Sequence, residues 1–151
     1  MEFSDIYCNH CRDFSLDHLP AILEDYVATG KARYIVHYYG FPRTISEGVL
    51  EAGMCAAEQG RYFEFQHALF QTMDGQSYNM VRATQTANLD ARAFRACRDS
   101  RRYADAVHEM TTVGSRRVTG TPTFFINGES ISGNRPDGIR QMIDNALIQT
   151  E

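Results

Sequence analysis

The spacing of apolar positions changes several times along the chain, and each change marks an element. The opening "EFSDIY" (2–7) reads as a short strand fragment running into a turn. From Asn9 the positions Cys11, Phe14 and His18 recur at helical spacing. Pro20 lacks an N–H and clashes with the preceding turn, so it predicts a kink or restart. Ala21, Ile22, Leu23, Tyr26 and Val27 carry the helix on to Gly30, a C-terminal stop. "ARYIVHYYGFP" (32–42) is dense in Tyr, Ile and Val, which predicts a buried strand. Strand, helix and strand make a βαβ unit.

The period then becomes helical for some seventy residues. Thr44 and Glu47 have the spacing of a capping box. Helices are predicted over 46–59, 62–73, 78–87 and 91–117, the last broken near Asp99 and Ser100. Phe63, His67 and Phe70 form one apolar stripe, and Tyr103, Val107 and Met110 another. "TPTFFINGESIS" (121–132) predicts a hairpin turning at Asn127-Gly128. Pro136 suits the first position of a last helix, whose apolar face is Ile139, Met142, Ile143, Ala146 and Leu147.

Composition narrows the function classes. The 151 residues are 43% hydrophobic and 23% charged, enough for one domain with a true core. A net charge of -4 and dispersed Arg and Lys argue against nucleic acid as a partner. No stretch is long and apolar enough to span a bilayer. No basic-then-apolar leader opens the chain, which fits either a cytosolic protein or a trimmed mature one.

Candidate chemistry centres on "CNHC", with Cys8, Asn9, His10 and Cys11 at the mouth of the first helix. Three readings compete. A structural zinc site wants four ligands, commonly from a second paired element, and the remaining cysteines, Cys55 and Cys97, stand singly in helical segments. A structural disulfide across so small a loop would add little stability. A redox pair suits the location, because the unpaired N–H groups and dipole of a helix N-terminus favour thiolate at Cys8. Cys11, one turn in, faces the core. His18, His37, His67 and His108 share no ligand spacing and read as packing or surface residues.

Four stretches in order resemble the DsbA-like thiol–disulfide oxidoreductases of the thioredoxin fold: "EFSDIYCNHC", "YVATGKARYIVHYYGFP", "CAAEQGRYFEFQHALF" and "VTGTPTFFINGE". The resemblance implies an α/β fold, with a thioredoxin-like βαβ…ββα sheet core interrupted by an all-helical subdomain. Residues 1–43 and 118–151 would form the core and 44–117 the insertion. Relative to that family the edge strand before "EFSD" and the start of the central strand are missing, which predicts an exposed sheet edge.

Residue by residue, the resemblance makes Cys8 the nucleophile, Cys11 the resolving cysteine and His10 a stabiliser of the Cys8 thiolate. Pro122 would be the cis-proline facing the site, presenting the Thr121 backbone to a substrate strand. Glu2 would be a buried carboxylate beneath the pair, raised in pKa and able to relay the Cys11 proton. Asn9 departs from the proline common there, so the redox potential is not set by the resemblance. Some members carry a second, non-catalytic bridge in the helical subdomain, which implies pairing of Cys55 with Cys97; two buried free thiols are the alternative. Protein or peptide cysteines would be the substrates, a separate redox partner would recharge the pair, and neither metal nor organic cofactor is called for. The implied location is extracytoplasmic, periplasmic or secreted. The expected activity is disulfide exchange, most simply oxidation. A reductase or isomerase on the same scaffold, or a non-catalytic peptide-binding module, is the alternative.

Overall fold

β1 (Glu2–Ser4) has only three residues, yet it is a central strand of the sheet and all three are buried. In this computed structural model residues 1–38, 44–75 and 77–149 are described, with the backbone alone at 44–46 and 115. Four strands occur among the described residues, in the order β2-β1-β3-β4. β1 runs parallel to β2 (Val36–Tyr38), and β3 (Thr123–Ile126) runs antiparallel to both β1 and β4 (Glu129–Ser132). Asn127 and Gly128 both take positive φ (48° and 98°), the geometry that a two-residue hairpin turn requires.

α1 (Asn9–Asp17) follows β1 through a turn in which Asp5 Oδ1 accepts the Tyr7 N–H. The helix ends at His18, and Pro20 sits in the first turn of α2 (Leu19–Ile22), where a missing N–H costs nothing. One π-helical turn, Leu23–Val27, completes the segment, and Gly30 leaves it at a φ of 74°.

The helices between β2 and β3 are α3 (Thr44–Glu58), α4 (Tyr62–Gln71), α5 (Met80–Thr86), α6 (Ala91–Asp99) and α7 (Ala104–Arg117). Local chemistry sets several starts. Asn79 caps α5 by accepting the Arg82 N–H, and Asp90 caps α6 by accepting from Arg92 and Ala93. α8 (Pro136–Ile148) closes the chain with Ile139 buried against Phe124 of the sheet.

Three expectations change. The strand expected over 32–42 is formed at Val36–Tyr38, and 39–43 lie outside the described residues. Its pairing begins where β1 begins, at Glu2↔Val36, and Val36 and His37 are only half-buried because β2 is an edge strand. That edge is not bare: α7 packs against β2, and the Tyr38 N–H donates to Met110 Sδ at 3.4 Å. In α4 the buried positions are Phe65, Gln66, Ala68, Leu69 and Phe70, while Phe63 and His67 are half-buried. α1, α3 and α5 all pack on α4, so its buried face is wider than one stripe. The Thr44 side chain of the proposed capping box lies outside the described residues.

Two apolar clusters meet at α1. Cys11 and Ile6 belong to the cluster built by α3–α6, with Val49, Phe65, Leu69 and Phe94. Phe14 belongs to the other, with Ile22, Tyr26, Phe124 and Ile139. α1 is thereby clamped between the sheet side and the helical layer.

Candidate functional site

Cys8 is the N-cap of α1, with extended backbone (φ -86°, ψ 116°). Its Sγ accepts the Cys11 N–H at 3.3 Å, the role an oxygen usually plays at a cap. The same sulfur donates to the Thr121 carbonyl at 3.2 Å, across 113 residues of sequence. The Thr121-Pro122 peptide is cis. Cys8 is half-buried and Cys11 fully so, and both are free thiols here.

Their electrostatics are opposite. The Cys8 thiol is lowered to about 6, first by the hydrogen bond from Cys11, with help from Thr121 and from the backbone N–H groups of Cys11 and His10; partial burial opposes these. Burial pushes Cys11 strongly upward, and its hydrogen bond to Cys8 adds to that. The site thus biases Cys8 toward the thiolate and Cys11 toward the thiol.

His10 touches the site differently from the sequence expectation. Its side chain is exposed, and what reaches Cys8 is its backbone N–H. Asn9 is also exposed. Glu2 is 1% exposed, and burial raises its carboxyl to about 7 against the hydrogen bond from Tyr34, whose hydroxyl donates to Oε2 at 2.9 Å. Cys8 is among the charges that act on Glu2. Cys11 and Glu2 both act on Tyr34 and Tyr38.

Tyr34 is the site residue that the sequence reading passed over. Only the strand register discloses it: in a parallel pair with Glu2 opposite Val36, alternation puts Tyr34, Val36 and Tyr38 on the Glu2 face. In the helical layer, Cys55 of α3 and Cys97 of α6 form a disulfide, with Cα atoms 5.8 Å apart. Among the described residues no group of three or more His, Cys, Asp or Glu could hold a metal ion, and no helix is long and apolar enough to cross a membrane.

A family model described as thioredoxin matches residues 1–145. The chain belongs to the thioredoxin family. Within that family its fold is that of DsbA from Chlamydia trachomatis, with a TM-score of 0.82 at 19% identity over 98% of this chain and 85% of that one. BdbD from Bacillus subtilis gives 0.81 at 19% identity, over 97% and 85%. This is a thioredoxin fold carrying a helical insertion. A Rickettsia typhi protein provisionally named a protein-disulfide oxidoreductase is 21% identical over 97% of this chain. The chain spans 57% of that protein's length.

Proposed function

We propose that this thioredoxin-family chain exchanges disulfides with cysteines of other proteins through Cys8 and Cys11, chiefly as an oxidant. The observation that carries the reading is the Cys8 sulfur: it caps a helix, accepts an N–H, and lies beside the Thr121 carbonyl. The names of the Rickettsia typhi protein and of the structural neighbours support the same class.

In the oxidising direction a substrate thiolate attacks Cys8 of the Cys8–Cys11 disulfide. The substrate–Cys8 bond forms, and Cys11 leaves with the electron pair. Cys11 is a poor thiolate because it is buried, so it must take up a proton. Glu2, with a carboxyl near neutrality, is the donor we assign. A second substrate thiolate then attacks the substrate sulfur of the mixed disulfide. Cys8 departs as the stabilised thiolate, and the substrate has lost two electrons to the pair. A redox partner of the same chemistry must re-oxidise Cys8 and Cys11.

The direction follows from which form the site stabilises. Hydrogen bonds to the Cys8 thiolate have no counterpart in the disulfide, so they favour the reduced protein and make the oxidised one an oxidant. An extracytoplasmic location is proposed with this, supported by the Cys55–Cys97 bridge, since such bonds persist in oxidising compartments. The test is equilibration with glutathione. The potential is expected between about -270 mV, typical of a reducing thioredoxin pair, and about -120 mV, typical of a strong oxidant. A value below that range would make the chain a reductase. Failure of Cys8→Ser to abolish exchange would remove the catalytic reading altogether.

A further inference from the structure

Glu2 is buried in the central strand β1, where the Cys8 charge acts on it, and a carboxylate there needs a partner. The face it occupies carries three tyrosines. Tyr34, just before β2, donates to Glu2 Oε2 at 2.9 Å. Tyr38 of β2 instead accepts a hydrogen bond from Tyr62 of α4. The other charges acting on Glu2 are Cys8 and the Met1 ammonium, which itself donates to the Phe125 carbonyl. Tyr62 feels the Glu2 charge but spends its hydroxyl on Tyr38. Tyr34 is therefore the phenol committed to the carboxylate.

Its ring is held in place. Phe63 packs on it edge-to-face with centroids 6.0 Å apart, and Tyr34 also lines a cavity of about 640 Å³ between the sheet, the π-helical turn and α8. Removing the hydroxyl alone would keep this packing. Burial and the Glu2 charge hold the phenol well above its ordinary pKa, so it stays a donor throughout the working range.

We propose that Tyr34 is a positioning residue for proton exchange at Cys11, acting through the hydrogen bond that orients the Glu2 carboxylate and favours its ionised form. The inference rests on the disulfide-exchange reading above. In the forward step Glu2 gives its proton to the departing Cys11 sulfur. In the return step the Cys11 S–H gives its proton to the Glu2 carboxylate as its sulfur attacks Cys8 of the mixed disulfide, expelling the substrate thiolate. A donor on the carboxylate favours the charged form, so losing it raises the pH at which Glu2 ionises. Tyr34→Phe should keep Glu2 protonated at neutral pH, slow the return step there, and move its pH profile upward.

The experiment is carbon NMR of the side-chain carboxyls of the reduced chain across pH, with Glu2→Gln assigning the signal. Tyr34→Phe is expected to raise the Glu2 midpoint by about one pH unit, the size of effect of one hydrogen bond to a charged group. Placing 2,3-difluorotyrosine at position 34, a stronger donor of nearly the same shape, should lower it. In mixed-disulfide collapse Tyr34→Phe should shift the pH profile in the Glu2 chain and leave it unmoved in the Glu2→Gln chain. A Glu2 midpoint unchanged in folded Tyr34→Phe protein, or unmoved by the fluorinated residue, would overturn the proposal. Absence of disulfide exchange in the unsubstituted chain would instead overturn the functional reading, because the NMR titration does not depend on activity.

Discussion

Cys55 and Cys97, 42 residues apart in sequence, join α3 to α6, and both side chains are buried in the cluster that also contains Cys11. The bridge ties α3 to α6 and so fastens the helical layer that packs on α1. Closing a loop of that length removes unfolded-state entropy worth about 4 kcal/mol in the chain-entropy model. The Cys55→Ala, Cys97→Ala double variant should lose roughly 2–4 kcal/mol in denaturant unfolding. The midpoint of the Cys8 titration should stay where it is, because neither residue is among the groups that shift the Cys8 thiol. A loss below about 1 kcal/mol would mean that α3 and α6 hold together without the bond.

The Cys8 thiolate owes most to Cys11 and little to the His10 imidazole. His10 faces solvent and offers the site its backbone N–H, which any residue other than proline would supply. His10→Ala should therefore leave the Cys8 midpoint within about half a unit of the native value. Cys11→Ala removes the strongest donor and should raise that midpoint by about one unit or more, whereas Cys11→Ser, which keeps a donor, should recover most of the shift. Ultraviolet absorbance of the thiolate against pH reads all three. A large rise in His10→Ala would show that the ring turns toward the sulfur in solution.

What the sequence disclosed and what it hid follow a physical division. Local chemistry was legible: the Asn127-Gly128 turn, Pro20 restarting the first helix, Pro136 opening the last, and the break between α6 and α7 all depend on residues within one turn of one another. Cys8 at a helix mouth was legible for the same reason. The start of β2 was not, because pairing begins only where its partner β1 begins, at Glu2↔Val36. Neither was Tyr34. Its importance comes from register against Glu2, a relation between residues 32 apart that no local pattern reports. For His10 the spacing puts a residue beside a sulfur without saying whether side chain or backbone faces it, and here the backbone N–H acts on Cys8 while the side chain is exposed.

The stability of the two redox forms should diverge with pH in a defined window. Cys8 titrates at about 6 in the folded reduced chain and near its ordinary value of 9.0 when unfolded. A depressed folded value means that the unfolded chain binds more protons between those limits, so the stabilisation grows as pH rises through the window. It is fully present above about pH 9 and lost as pH falls through about 6. The oxidised chain has no thiolate and gains nothing from this group. Burial raises Glu2 in the folded chain, which erodes stability between its ordinary value of 4.5 and about 7. That loss is present with or without the Cys8–Cys11 bond, so it cancels to first order in the comparison. Cys11 stays protonated in both folded and unfolded reduced chains below about pH 9, so it adds nothing within the window. The sulfur of Cys8 is half-exposed, and solvent screening reduces the full value to on the order of 1–3 kcal/mol. Reduced protein should accordingly melt about 3–10 °C higher relative to oxidised protein at pH 8.5 than at pH 5.5. Thermal melts of the two forms over that range provide the check, with Cys8→Ser in the reduced state as the reference that should show no such slope. A gap that is flat in pH, or that narrows as pH rises, would mean that the thiolate is not what favours the reduced form, and the chain would then have no electrostatic reason to act as an oxidant.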